Sequence, residues 1–221
     1  GHYPTESAED AFNEVYSNEK EMLSYMIGLA LSQYLWSTHY EMFSHLKSSL
    51  VQNKSNINKY LEIGPGHGLF LKNAIDILNK NTEMTAVDIS QTSLNVSKSI
   101  IDHFYPLKDI SFVNKDMLDL YMDSEFDFIV MGEVIEHVEY PELLLVKISK
   151  LLSRNGRAFL STCVNCPAID HVYHFHTVDE IRDMFKNCGL TIESEKVLPV
   201  EDAPMAEIVN QKITINYSAI V

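Results

Sequence analysis

The regular alternation of strand-like and helix-like segments after residue 58 constrains the fold of this chain more than any other feature. Short apolar runs of strand length, such as Lys59–Ile63 and Met84–Val87, are each followed by a segment with helical apolar spacing. Phe126–Met131 is almost continuously apolar, which is typical of a strand buried on both faces. Repeated units of this kind predict a mostly parallel sheet with helices on both faces, which binds ligands at the carboxyl ends of its strands.

Helix signals and apolar periodicity divide the rest of the chain. Residues 1–58 are predicted to form a helical cap, because apolar side chains recur at helical spacing over much of this region. Thr177–Glu180 matches a capping box that opens a helix. Two late strands are predicted near Leu190–Val197 and Lys212–Val221. We therefore expect a cap followed by one α/β domain over residues 59–221.

Acidic residues outnumber basic ones, with 31 Asp and Glu against 17 Lys and Arg and a formal net charge of −14. Because affinity for nucleic acid comes largely from Lys and Arg contacts with phosphate, this balance disfavours a nucleic-acid partner. No apolar run approaches the roughly 20 residues of a membrane-spanning helix, and Met22–Trp36 lacks the basic leader of a signal peptide. We expect a cytoplasmic protein without a membrane partner, and the sequence does not indicate its oligomeric state.

A glycine-rich turn follows the first predicted strand. Gly64, Gly66 and Gly68 permit positive φ and a close approach of the backbone to a ligand. The dinucleotide-binding fingerprint would place its third glycine at position 69, where this chain has Leu69. Glu62 would repel a pyrophosphate, whereas it suits a ligand that carries an amino group or a positive charge. These two residues argue against an NAD-dependent oxidoreductase.

Carboxylates also follow the second and third predicted strands. Asp88 ends the second strand, where a carboxylate can accept both hydroxyls of a ribose. Asp116 comes just after the third strand, where its side chain could meet the amino group of an adenine. Three consecutive strand ends with glycine and acidic residues are far more specific for a nucleoside ligand than the glycine-rich turn alone.

With these motifs the sequence resembles the class I S-adenosylmethionine-dependent methyltransferases over roughly residues 59–221. The resemblance implies a Rossmann-like sheet of seven strands, with an antiparallel last strand and an N-terminal helical cap. It also implies that S-adenosylmethionine is the cofactor. The positions that would bind it are Glu62, Gly64, Pro65, Gly66, Gly68, Asp88, Ile89, Asp116, Met117, Gly132 and Glu133.

A group of carboxylates and imidazoles follows the fourth predicted strand. In a helical turn, Glu133, Glu136 and His137 would share one face. The loop after the fifth strand contains Asp170 and His171, and the fold would bring this loop next to Glu133. Hard oxygen ligands combined with imidazole suit a divalent metal ion, although residue types alone do not choose among Mg²⁺, Mn²⁺, Fe²⁺ and Zn²⁺.

The spacing of this group resembles the metal-binding motif of Hen-type small-RNA 2′-O-methyltransferases, and a similar segment occurs in ubiquinone-pathway O-methyltransferases. The resemblance implies Glu133, Glu136, His137 and His171 as metal ligands, with the metal activating an acceptor hydroxyl. Many metal-independent members of the fold carry a similar segment. In that alternative His171 or His137 would act as the general base.

These observations favour methyl transfer to a small-molecule acceptor, most simply at a hydroxyl oxygen. Two alternatives stay open at this point: a metal-dependent RNA 2′-O-methyltransferase and a non-catalytic module that binds S-adenosylmethionine. A faint resemblance of the loop 165–176 to tailoring methyltransferases suggests natural-product biosynthesis. Trp36, Tyr40 and Ala203–Asn210 are expected to line the acceptor pocket, although the first two could simply pack the cap.

Two further features are interpreted as structural. His67 lies inside the glycine-rich turn and is expected to be exposed and without a role. Cys163 and Cys166 form a CxxC, but the chain has only three cysteines, which excludes a four-thiolate zinc site. We interpret this pair as the end of a strand and its loop.

Overall fold

The computed structural model describes residues 19–121, 125–168 and 170–221, which form seven strands and seven α-helices. The strands are β1 (Lys59–Ile63), β2 (Glu83–Asp88), β3 (Ser111–Asn114), β4 (Phe126–Gly132), β5 (Leu152–Val164), β6 (Ser194–Pro199) and β7 (Ile215–Ile220). The helices are α1 (Glu19–Leu35), α2 (Ser37–Asn53), α3 (Leu69–Ile77), α4 (Gln91–Phe104), α5 (Pro141–Leu151), α6 (Val178–Asn187) and α7 (Met205–Asn210).

All seven strands form one sheet in the order β3-β2-β1-β4-β5-β7-β6. The pairs β1–β2, β1–β4, β2–β3 and β4–β5 are parallel. Strand β7 runs antiparallel to both of its neighbours, β5 and β6. The expected Rossmann-like sheet of seven strands with an antiparallel last strand is therefore confirmed.

The strand register brings the predicted site residues to one edge of the sheet. Ile63 pairs with Val87 on one side and with Met131 on the other. The residues that follow them, Gly64, Asp88 and Gly132, therefore leave the sheet at the same level. The strand order reverses between β1 and β4, and such a switch point opens a crevice where ligands bind in sheets of this type.

Two hydrophobic cores cover the two faces of the sheet, because successive strand side chains point to opposite faces. In β4, Phe128 and Val130 face a core shared with α2 and α3. Ile129 and Met131 face the opposite core, which is shared with α5 and α6. The prediction of helices on both faces is confirmed.

The two N-terminal helices pack in different ways. Met42, Leu46 and Leu50 of α2 lie in the core above the sheet, together with side chains of β1 and β4. Helix α1 packs against α2 and α4. Trp36 and Tyr40 are 61% and 51% exposed, and that they line an acceptor pocket stays a prediction. They face outwards because the buried stripe of α2 runs through other positions.

Some element boundaries differ from the sequence-based expectations. The late strands β6 and β7 are shorter than predicted. Within Ala203–Asn210 the chain forms the short helix α7. Residues 1–18 of the predicted cap lie outside the described residues. No helix in the described part of the chain is long and apolar enough to cross a membrane.

Candidate active site

The glycine-rich turn between β1 and α3 has the backbone geometry that its sequence predicts. Gly64, Gly66 and Gly68 have φ values of 67°, 49° and 71°, in the left-handed region that favours glycine. A Cβ at Gly64 would lie 2.6 Å from Cγ2 of Val134, which follows β4. The turn therefore passes close to the β4 end, and glycine is required at position 64 for space as well as for φ.

His67 is buried within this turn, so the expectation of an exposed side chain is wrong. Its Nδ1 accepts a hydrogen bond from the backbone N–H of Leu69 at 3.1 Å. Its ring packs edge-on against Phe70, with centroids 5.8 Å apart. Burial, with a smaller effect of His39 on α2, lowers the pKa of His67 to about 4. The imidazole is a neutral packing group at the start of α3.

Glu62 is a buried carboxyl group at the end of β1, with 1% of its surface exposed. Its Oε2 accepts a hydrogen bond from the Tyr60 hydroxyl at 2.5 Å. Its Oε1 has no hydrogen-bond partner among the described residues. Burial raises the pKa of Glu62 to about 8, although the Tyr60 hydroxyl favours the charged form. An unsatisfied buried oxygen beside the glycine-rich turn is suited to receive a donor from a ligand.

Asp88 lies at the end of β2 with its carboxylate held by the start of α4. Oδ1 accepts a hydrogen bond from the backbone N–H of Ser90 at 2.8 Å, and Oδ2 accepts one from the Ser93 hydroxyl. Burial raises the pKa of Asp88, and these donors oppose that shift. Each carboxylate oxygen can accept more than one hydrogen bond, so a ribose can still be bound in this orientation.

The adjoining positions form the outer part of this edge. Ile89 is 53% exposed, which is unusual for an isoleucine beside a buried strand. Asp116 is exposed, and its Oδ1 accepts a hydrogen bond from the Leu118 N–H at 2.8 Å. Met117 is buried in the core, so its side chain lies beneath this surface. An exposed apolar side chain directly after Asp88 suits contact with the face of a base.

The backbone turns sharply where β4 ends. Glu133 has a φ of 53°, a left-handed conformation that is uncommon for a residue other than glycine. Its N–H donates to the backbone oxygen of Ser161 at 3.0 Å and to the Ser161 Oγ at 3.2 Å. Oε1 of Glu133 is buried without a hydrogen-bond partner among the described residues. Burial, and then the neighbouring Glu136, raises the pKa of Glu133 to about 8.

Glu136 is a second buried carboxyl group, in the short 3₁₀ turn Ile135–His137. Its Oε2 accepts a hydrogen bond from the Thr162 hydroxyl at 2.8 Å, whereas Oε1 has no hydrogen-bond partner in the described chain. Burial raises the pKa of Glu136 to about 8. No lysine or arginine among the described residues forms a salt bridge with Glu133 or Glu136. The imidazole of His137 lies beside these carboxyl groups, with its Nε2 3.9 Å from Glu136 Oε1. Two neighbouring buried carboxyl groups favour a bound proton or a cation.

Backbone carbonyls fix the tautomers of two histidines beside these carboxyl groups. Nδ1 of His137 lies 2.8 Å from the backbone oxygen of Asp170, and Nδ1 of His171 lies 2.6 Å from that of Cys166. A carbonyl only accepts, so each Nδ1 carries the hydrogen and each Nε2 is the nitrogen that can take a proton or a metal. The two rings pack edge-on with centroids 4.9 Å apart.

Tyr25 of α1 approaches the same group from the cap, and the sequence analysis did not identify it. Burial, and then the charges of Asp170, Glu136 and Glu133, raises the pKa of Tyr25 well above its usual value. Met22 and Met26 beside it are buried, whereas Leu23 and Ile27 are exposed, so the apolar pattern of α1 does not mark the face that points inwards. The N-terminal cap thus contributes a phenol hydroxyl to the site.

The described side chains that could bind a metal form three overlapping groups, in each of which the ligand atoms lie within 4.8 Å of one another. Glu136, His137 and His171 form one group. Glu133 joins Glu136 in a second group that also contains Cys163, and the third combines Cys163, Cys166 and His171. The four predicted ligands are therefore neighbours, with Glu136 common to the first two groups. Cys163 and Cys166 also belong to these groups. The sequence analysis, which assigned them to a strand end and its loop, did not predict that they lie beside the predicted ligands.

The segment Ala203–Asn210 lies at a different place. Met205 and Val209 of α7 line a cavity of about 390 Å³ together with Asn165 and His176. None of the three metal-ligand groups contributes to its lining. That this segment shapes an acceptor pocket stays a prediction.

Comparison with known proteins places the sequence motifs in a family. The family model described as a methyltransferase domain matches residues 54–210, which is more than half of the chain. The mitochondrial ubiquinone biosynthesis O-methyltransferase of Candida albicans is 32% identical over 103 residues. This match covers 46% of the chain but 31% of that protein, so the chain spans about a third of its relative.

Solved structures share the fold at low sequence identity. An S-adenosylmethionine-dependent methyltransferase from Clostridium acetobutylicum has a TM-score of 0.65 and 12% identity, over 89% of this chain and 98% of that one. The N-methyltransferase NodS from Bradyrhizobium japonicum, solved with S-adenosyl-L-homocysteine, has a TM-score of 0.60 and 15% identity, over 85% and 88% of the two chains. With the strand order and the family match, these likenesses show that the chain belongs to the class I S-adenosylmethionine-dependent methyltransferase family.

Proposed function

We propose that this chain transfers the methyl group of S-adenosylmethionine to a hydroxyl oxygen of a small-molecule acceptor, with a divalent metal assisting. One observation carries the proposal: two unsatisfied buried carboxyl oxygens and two oriented imidazoles meet at the ends of β4 and β5. This group adjoins the glycine-rich turn because Gly64 contacts Val134. The relatives named O-methyltransferases support oxygen as the acceptor atom.

The residues around the glycine-rich turn fit S-adenosylmethionine. This cofactor supplies a methyl group on a sulfonium: its carbon–sulfur bond breaks as a bond to the acceptor oxygen forms. Glu62 would accept hydrogen bonds from the amino group of the methionine part, using its unsatisfied Oε1. Asp88 would bind the ribose hydroxyls, and Asp116 with Ile89 would contact the adenine. Gly64, Pro65, Gly66, Gly68, Met117, Gly132 and Glu133 would complete the cofactor site.

The carboxyl–imidazole group fits a divalent metal. Glu133, Glu136, His137 and His171 would bind it, since their ligand atoms belong to overlapping groups that share Glu136. A bound divalent cation lowers the pKa of an acceptor hydroxyl. If no metal takes part, His137 or His171 would receive the acceptor proton at Nε2. Tyr25 covers the group and would exclude water from it.

A small molecule is the favoured acceptor class. The net charge of −14 opposes binding of RNA, so the RNA 2′-O-methyltransferase alternative receives no support from the charge balance. A module that only binds the cofactor would have no use for uncompensated carboxyl groups, because burying them opposes folding. The relatives' name includes ubiquinone biosynthesis, which makes phenolic hydroxyl compounds the first acceptors to test.

Methyl transfer from radiolabelled S-adenosylmethionine to a panel of phenolic compounds tests this proposal. The protein is first treated with a chelator and then assayed with and without added Mg²⁺, Mn²⁺, Fe²⁺ or Zn²⁺. We expect label in the acceptor, and a rate that falls at least about tenfold without metal, since the metal activates the hydroxyl. His137→Ala should show the same loss.

The control is His103→Ala, which changes a histidine at the end of α4, outside the three metal-ligand groups. It should transfer methyl groups at the unchanged rate. A rate of methyl transfer that changes neither on removal of metal by the chelator nor in His137→Ala would contradict the metal-assisted step. Absence of transfer to any acceptor, with label also absent from added RNA, would count against the proposed activity.

A further inference from the structure

We propose that Cys163, Cys166 and His171, joined by Glu136, form a thiolate-containing binding site for a thiophilic divalent cation such as Zn²⁺. The inference rests on the proposed function, because the site shares His171 and Glu136 with the metal group described above. It adds two sulfur ligands that the family resemblance did not imply. It also names the metal class that the candidate active site would select.

The end of β5 and its following loop create this site. Cys163 lies one residue before the end of β5, where it pairs with Asn216 of β7. The chain then turns at Asn165, whose φ is 50°. Beyond this turn, Cys166 and His171 lie beside Cys163. The ligand atoms of the three residues lie within 4.8 Å of one another.

Cys163, Cys166 and His171 supply three of the four ligands of a tetrahedral zinc site. Tetrahedral zinc with ligands at about 2.0 to 2.3 Å separates its ligand atoms by about 3.3 to 3.8 Å. The ligand atoms lie within 4.8 Å of one another, so they need to close by at most about 1.5 Å to hold the ion. Glu136 shares one such group with His171 and another with Cys163, so its unsatisfied Oε1 is available as a fourth ligand.

The surroundings favour a bound cation over bare side chains. Cys163, His171 and Glu136 are all less than 9% exposed, whereas Cys166 is partly exposed and gives a path to solvent. Nδ1 of His171 lies 2.6 Å from the Cys166 carbonyl oxygen and 3.9 Å from the Cys163 Sγ, so the imidazole packs directly against the two cysteines. On binding, the two thiols release their protons to solvent and the resulting thiolates bind the cation.

Thiolates change which metal the site prefers. Carboxylates and water suit Mg²⁺, whereas sulfur ligands select softer cations such as Zn²⁺ and Co²⁺. A cation held by Cys163 and Cys166 would still lie beside Glu136 and His171, within the candidate active site. We therefore expect Zn²⁺ to compete with Co²⁺ for the site and Mg²⁺ to leave bound Co²⁺ in place.

Absorption spectroscopy with Co²⁺ tests the inference without an activity assay. The chelator-treated chain is titrated with Co²⁺ alone under a non-thiol reductant, which keeps the cysteines free. We expect a thiolate-to-cobalt charge-transfer band in the near ultraviolet that saturates at one equivalent. Cys163→Ser and Cys166→Ser should each lose most of the band, and one equivalent of Zn²⁺ should abolish it in the unmodified chain.

Cys188→Ser is the matched control, because Cys188 is buried elsewhere, with its Sγ 3.7 Å from the backbone oxygen of Glu142. It should keep the full band. Absence of the band in the unmodified chain, or its persistence in both Cys163→Ser and Cys166→Ser, would overturn the inference. Calorimetric titration of the same samples with S-adenosylhomocysteine separates the two proposals. If S-adenosylhomocysteine binds but the thiolate-to-cobalt band is absent, only the thiolate site is overturned. If the band appears but S-adenosylhomocysteine does not bind, the thiolate site is supported and the proposed function is contradicted.

Discussion

At the scale of single residues, burial determines the chemistry of this site. Glu62 is the simplest case because it lies away from the candidate metal ligands and has one strong partner, Tyr60. Its buried carboxyl is more stable when protonated, which raises its pKa to about 8. A ligand with an amino group would reverse this preference by providing a hydrogen-bond donor with positive charge.

Glu62→Gln should reduce the dependence of stability on pH. In the folded chain Glu62 stays protonated up to about pH 8, whereas in the unfolded chain it ionises above its ordinary value of 4.5. Its contribution is thus fully present below the unfolded value and is lost as pH rises towards 8. Between these two pH values, the free energy of unfolding falls with rising pH in the unmodified chain. In Glu62→Gln this fall should be smaller, by about 1 kcal/mol per pH unit.

Urea unfolding of the ligand-free chain at several pH values from 5 to 8 measures this difference. Glu83→Gln is the control, because Glu83 is an exposed glutamate at the start of β2. Its pH dependence should match that of the unmodified chain. An unchanged slope in Glu62→Gln would show that Glu62 is ionised when folded.

Gly64→Ala and Gly66→Ala should differ in their effect on stability. Both positions have positive φ, and an alanine there costs roughly 1–2 kcal/mol. At Gly64 the new Cβ would also lie 2.6 Å from Val134, whereas at Gly66 the nearest atom is 3.9 Å away. Overpacking of this kind costs about 1–3 kcal/mol more. Chemical denaturation should therefore give a lower free energy of unfolding for Gly64→Ala than for Gly66→Ala. Equal free energies would contradict the contact with Val134.

At the scale of elements, the sequence predicted those strands whose burial leaves a clear pattern. β4 is apolar almost throughout because cores cover both of its faces. The sequence could not show which face of α1 is buried, because apolar residues lie on all sides of this helix. Leu23, Ile27 and Leu31 are exposed, whereas Met22 and Met26 are buried. Tyr25 was missed for this reason.

Helix α6 illustrates a local signal that was correct in detail. Oγ1 of Thr177 accepts a hydrogen bond from the Glu180 N–H at 3.1 Å, and the Glu180 side chain accepts one from the Thr177 N–H. Both halves of the predicted capping box are present. Capping depends only on residues three positions apart, which explains why the sequence was sufficient here.

Thr177→Ala should destabilise the chain by about 1 kcal/mol, because the first turn of α6 loses a hydrogen-bond acceptor. Thr177→Ser keeps the hydroxyl and should stay within about 0.5 kcal/mol of the unmodified chain. Thermal or urea unfolding of the two variants measures the difference. If Thr177→Ser were as unstable as Thr177→Ala, the loss would come from packing of the methyl group rather than from the cap.

At the scale of the whole molecule, parallel strands bring distant parts of the sequence to one edge. The order of motifs predicted which strand ends meet, and the register of β1, β2 and β4 agrees with that prediction. Contacts made by loops were harder to predict, because they depend on how two turns pack against each other. His67 was expected at the surface but lies beneath neighbouring side chains. Cys163 and Cys166 do lie at the end of β5 and in its loop, as expected, but the sequence did not show that they adjoin His171.

The central claim is that this edge binds S-adenosylmethionine, and calorimetric titration with S-adenosylhomocysteine tests it most directly. We expect micromolar affinity in the unmodified chain and a loss of at least about tenfold in Asp88→Ala, which removes charged hydrogen bonds to the ribose. Asp102→Ala, a surface change on α4 that removes a pair with Lys98, should bind normally. Absence of binding in the unmodified chain, or equal binding by folded Asp88→Ala, would contradict the account.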